Sequence, residues 1–128
     1  MKILLDTQIF LGLIEPNLGV LPQRVQAVLR DAGSEYHLSV ASFWEIAIKW
    51  RLGKLKLTKH PSALPELLYG LGIDSLLINE HHALADIDPE PSTRDPFDRL
   101  LLAQCQIEGL KLVTVDRALI DHPLALRA

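Results

Sequence analysis

Four carboxylates stand where apolar segments of the chain end or begin: Asp6 after "KILL", Glu45 in "SFWEIAIKW", Asp98 in "RDPFDRLLLAQC" and Asp116 after "LVTV". Like charges drawn to one place repel, so a cluster of such acids calls for a compensating cation. An all-oxygen set without clustered histidine or cysteine suits a hard ion, Mg²⁺ or Mn²⁺. Those ions activate water and shield phosphate oxygens, so the chemistry that the four acids would perform together is hydrolysis of a phosphodiester.

Each acid also has a plainer explanation. Ser42, three residues before Glu45, makes an S-x-x-E capping box. Asp95 followed by Pro96 reads as the N-cap and first residue of a helix, which puts Asp98 in the first turn beside the positive end of the helix dipole. Asp116 would cap a helix beginning at Arg117. Asp6 alone lacks such a reading, since capping asks for nothing at the end of "KILLD". Serine, threonine or asparagine would cap equally well, so it is the set that favours chemistry.

The elements that must position these acids alternate along the chain. Apolar runs at 2–6, 35–40, 75–78 and 111–115 predict strands, and residues 124–127 offer a fifth. Helical spacing predicts helices over 8–14 (halted by Pro16), 22–32 (closed by Gly33), 42–53, 61–71, 80–87 and 96–108 (closed by Gly109). Strands separated by helices imply an α/β fold: a mainly parallel sheet covered on both faces, a three-layer α/β/α sandwich. In such sheets the functional crevice lies beyond the carboxyl ends of the strands, where Asp6 and Asp116 stand.

The whole chain of 128 residues fits one domain. With 48% apolar and 23% charged residues it reads as globular rather than disordered. The apolar stretch Ile3 to Leu5 is too short for a signal peptide or a membrane span, and the single Cys105 excludes an internal disulfide and gives no support for a thiolate metal site. The cytoplasm is the expected compartment. A net charge of −3 hides a basic run at 46–60, in which Lys49, Arg51, Lys54, Lys56 and Lys59 occur with no acid among them. That run is either a solvated face or a strip that contacts a polyanion.

Taken in order, "LLDTQIFL", "SVASFWEIAIKWRLGKL", "RDPFDRLLLAQC" and "LVTVDRAL" resemble the motifs of PIN-domain nucleases of the VapC toxin type, over essentially the whole chain. The resemblance implies a PIN-like α/β/α sandwich, metal-dependent cleavage of RNA, an antitoxin protein that occludes the site, and a homodimer. It also matches Asp6, Glu45, Asp98 and Asp116 to the four acids of the family, as catalytic and metal-holding residues. Thr7 and Thr114 flank matching acids and would support them by hydrogen bonds. Lys49 and Arg51 of the basic run, with Arg94 and Arg99, are candidates for contacting the substrate, although Arg99 would equally pair with Asp95. Gln8, Ser92 and Thr93 depart from the family, which often has histidines there.

Two other functions compete. A phosphoacceptor receiver domain shares the length and alternation but needs an acid pair after strand one and a lysine ending the last strand, where this chain has a lone Asp6 and Asp116. A catalytically silent PIN-like module would bind RNA or protein through the basic run; loss of one acid would be its mark, and all four are present. Of the remaining residues, His81 and His82 are expected at the surface or an interface, Cys105 in the core, and one of Phe43 and Trp44 buried, at a dimer face.

Overall fold

The protein is described by a computed structural model that covers residues 1–126 apart from Pro16, Asn17 and Gly19. Four strands, β1 (Lys2–Leu5), β2 (Glu35–Ser39), β3 (Ile73–Leu76) and β4 (Lys111–Val113), form a sheet of order β3-β2-β1-β4 in which every pairing is parallel. Helices α1 (Thr7–Ile14), α2 (Gln23–Leu29), α3 (Val40–Arg51), α4 (Leu64–Gly70), α5 (Glu80–Leu84) and α6 (Pro96–Glu108) cover it.

The continuous apolar run of β1 follows from its central place. Ile3 and Leu5 face one way with Leu38 and Val113, against Ile9 and Phe10 of α1, Ile46 of α3 and Leu68 of α4. Leu4 faces the other way with Leu112, against Leu101, Leu102 and Cys105 of α6. A strand buried on both faces needs no alternation of polar and apolar residues. The three-layer α/β/α arrangement expected from the sequence is therefore present, with a sheet that is parallel throughout.

The register aligns the carboxyl ends that matter. Leu5 pairs with Leu38 on one side and Val113 on the other, so the residues that follow these strands emerge side by side. The Asp6 N–H continues the ladder by donating to the Val113 carbonyl at 2.9 Å.

Helix α6 spans the expected residues because both of its stops are local. The Asp95 carboxylate accepts from the Phe97 N–H at 2.8 Å, and Gly109 closes the helix at φ 70°. A Cβ on Gly109 would meet nothing within 4 Å, so the cost of alanine there is the left-handed backbone alone. Gly109→Ala should destabilise the fold by about 1 kcal/mol, read from the midpoint of urea unfolding.

Elsewhere the boundaries differ from expectation. The third strand lies at 73–76 rather than 75–78, and the helix expected over 61–71 divides into a 3₁₀ turn, Pro61–Ala63, and α4. The helices expected over 22–32 and 80–87 are shorter. Helix α1 begins one residue early, and Pro16, its expected stop, lies outside the described residues. In place of a fifth strand, Ala125 forms one parallel bridge to Leu112, and Arg127 is outside the described residues. Among the described residues no helix is long and apolar enough to cross a membrane.

Candidate active site

A cleft of about 520 Å³ opens at the carboxyl edge of the sheet, and Asp6, Glu45, Asp98 and Asp116 all line it. Four acids spread between positions 6 and 116 thus reach one place, each delivered by a different element.

Asp6 is the most deeply set, only 6% exposed. One carboxylate oxygen accepts from the Thr7 N–H at 2.8 Å and the other from the Thr114 hydroxyl at 2.6 Å. Burial pushes its carboxyl above the ordinary aspartate range; the two hydrogen bonds oppose this, and the Glu45 and Asp116 carboxylates add to it. Asp6 is also the N-cap of α1, which corrects the expectation that it has no capping role. The strand passes directly into the helix, so one residue ends the first and caps the second.

Glu45 is not in a capping box. Helix α3 starts earlier than expected, capped by the Ser39 hydroxyl, which accepts from the Ala41 N–H at 3.0 Å. Ser42 lies inside the helix, buried, and accepts from the Thr7 hydroxyl at 2.8 Å. Thr7 thus ties α1 to α3 while its N–H holds Asp6. Glu45, one turn further along, pairs with Lys49 at 3.1 Å.

Asp98 sits in the first turn of α6, where its carboxylate accepts from the Thr93 hydroxyl at 3.1 Å. Its carboxyl is pushed up to about 6, first by burial, then by Asp95, and further by Asp6 and Asp116; the Thr93 hydrogen bond acts against the rise. Asp95 caps α6 as expected and also lines the cleft.

Asp116 caps a turn rather than the expected helix: its carboxylate accepts from the Ala118 N–H at 2.9 Å, and its own N–H donates to the Thr114 hydroxyl oxygen at 3.0 Å. Thr114, buried at the end of β4, therefore links Asp6 to Asp116 through one oxygen. Thr114→Val should preserve shape and lower any metal-dependent activity by about 10- to 100-fold, the usual effect of removing a group that orients a ligand; kinetics at saturating metal checks it.

The basic candidates divide. Lys49 lines the cleft and is engaged with Glu45, whereas Arg51, Arg94 and Arg99 are not among its lining residues. Arg99 pairs with Glu90 rather than with Asp95, because the loop before α6 brings Glu90 within reach. Lys54, named only as one member of the basic run, also lines the cleft.

His82 departs from the surface position expected for it. It is 2% exposed, its Nε2 lies 2.7 Å from the Glu108 carboxylate, and its Nδ1 accepts from the Asn79 N–H, closing a capping box on α5. The signal was Asn79 three residues before it, with the box's usual glutamate replaced by histidine. Cys105 is buried as expected, and burial pushes its thiol up to about 12, so it is inert. Of the aromatic neighbours at the start of α3, Phe43 packs on the core and Trp44 is exposed, edge-on to Phe97.

Among the described residues no three of Asp, Glu, His and Cys stand close enough together to hold a metal ion as they are placed. The donor set is nonetheless all carboxylate oxygen, and neighbouring carboxylates add to the upward shifts of Asp6 and Asp98. That chemistry fits a hard divalent cation. No curated protein is similar enough to the chain to match it. The PIN domain matches residues 3–123, from the first strand through Asp116 and the turn beyond it, and the chain therefore belongs to the PIN-domain family, whose fold is of the nuclease type.

Proposed function

We propose that this PIN-domain protein is a metal-dependent endoribonuclease, with Asp6, Glu45, Asp98 and Asp116 holding Mg²⁺ or Mn²⁺. The observation that carries the reading is the convergence of these four acids on one cleft. When bound, the ion supplies Lewis acidity toward water and toward the scissile phosphate. The chain itself orients the ligands: Thr7 and Thr114 fix both oxygens of Asp6, and Thr114 also holds the backbone at Asp116. Lys49 offsets the charge of Glu45 at the wall of the cleft.

The finer reading is that of a VapC-type toxin, working in the cytoplasm as a homodimer and paired with an antitoxin that occludes the cleft. Its support is the order and spacing of the four motifs in the sequence. The test of the nuclease is cleavage of RNA by the purified protein. Cleavage in Mg²⁺ or Mn²⁺ that stops in EDTA is the expected result, and cleavage that proceeds unchanged in EDTA contradicts it.

A further inference from the structure

Glu15 is a carboxylate only 3% exposed, and both of its oxygens go to a single residue 43 positions away. One accepts from the Thr58 N–H at 2.8 Å and the other from the Thr58 hydroxyl at 2.8 Å. Among the described residues no cation pairs with it. A buried charge held this way is costly unless fully hydrogen-bonded, so the contact fixes the partner segment firmly.

That partner segment is the basic run. After α3, Gly53 at φ 71° reverses the chain, and the Lys54 N–H bonds back to the Lys49 carbonyl at 2.9 Å. The sequence then alternates: Leu55 and Leu57 pack onto the core, while Lys54 and Lys56 are exposed. Lys54 and Leu55 line the acidic cleft together with Leu18, Val20 and Leu21, which follow Glu15 in the chain. The Glu15–Thr58 contact therefore joins two segments that form the cleft wall. Lys49 is paired with Glu45, whereas Lys54 has no carboxylate within 4.0 Å among the described residues.

We propose that residues 52–60 form a cationic strap that receives the RNA backbone beside the acids, with Lys54 contacting a phosphate and Glu15 as the positioning residue that holds the strap through Thr58. This rests on the ribonuclease reading above. A cleft lined by five carboxylates repels a polyanion, and an unpaired lysine held in its wall offsets that repulsion at one flanking phosphate.

The test is fluorescence anisotropy with a labelled, mixed-sequence single-stranded RNA, titrated over a range of salt in the cleavage-blocked Asp6→Asn background. Lys54→Ala should weaken binding across all sequences and reduce the slope of log affinity against log salt by about 0.7, one phosphate contact. Glu15→Ala should give the same reduction although Lys54 is intact. Glu15→Gln should restore both affinity and slope, because its amide can accept from the Thr58 N–H and donate to the Thr58 hydroxyl. Thr58→Val, which keeps the N–H bond alone, should shift affinity in the same direction by less, and it decides the positioning role where circular dichroism finds Glu15→Ala unfolded. RNA binding whose salt slope ignores Lys54→Ala overturns the strap and leaves the ribonuclease standing. No binding of RNA by the parent protein overturns both.

Discussion

Replacing Asp6 by asparagine should abolish metal-dependent RNA cleavage while raising the melting temperature of the metal-free protein. Asparagine keeps an oxygen to accept from the Thr7 N–H and so keeps the cap of α1. What it removes is the charge at the centre of the acid set. The loss of activity should exceed the 10- to 100-fold expected for Thr114→Val, because a ligand is lost rather than its support. The gain in stability follows from the direction of the pKa shift. Burial raises the folded-state pKa of Asp6 above its unfolded-state value, so above that unfolded value the ionised carboxylate weighs against folding. Stability from this group therefore falls as pH rises through the window between the unfolded and folded values, and asparagine has no such penalty. Thermal melts in EDTA at neutral pH check the second half, and single-turnover cleavage the first.

The pair Asp95 and Asp98 should separate in the same assays. Asp98→Asn should remove metal-dependent cleavage, whereas Asp95→Asn should retain it, because asparagine is as good an N-cap and Asp95 serves α6 by accepting from the Phe97 N–H. The two differ again in pH dependence. Asp98, raised to about 6, must be ionised to act as a ligand, so at limiting metal the rate should fall about tenfold per pH unit below that value. More metal competes with the proton and moves this limb to lower pH. Asp95 is the second cause of the raised Asp98 value, so Asp95→Asn should also shift the limb down. A pH profile of cleavage at two metal concentrations reads all three expectations.

Which features were legible in the sequence depended on how local their causes are. Asp95, Pro96 and Gly109 bracket α6 by contacts within a few residues, and its ends fell where the sequence put them. The four acids were legible as a set because Asp6 and Asp116 follow strands of a parallel sheet while Glu45 and Asp98 lie in the first half of helices packed on it, and register does the rest. Ser42 misled because an S-x-x-E spacing is also what a helix interior shows when the true cap, Ser39, is the last residue of a strand. Its partner, the Thr7 hydroxyl, lies 35 residues away. Glu15 passed unnoticed for the same reason, since its role exists only once Thr58 returns to it. Arg99 finds Glu90, and His82 finds Glu108, through loops whose path the sequence does not state.

Titration calorimetry of Mg²⁺ into wild type and Asp98→Asn near pH 6 tests whether the four acids form one metal-holding site. At that pH the Asp98 carboxyl is about half protonated. Wild type should bind saturably and release a proton on binding, read from the dependence of the heat on buffer ionisation, and Asp98→Asn should lose both the affinity and the proton. Equal binding by the two proteins without proton release would place the ion elsewhere and contradict the site.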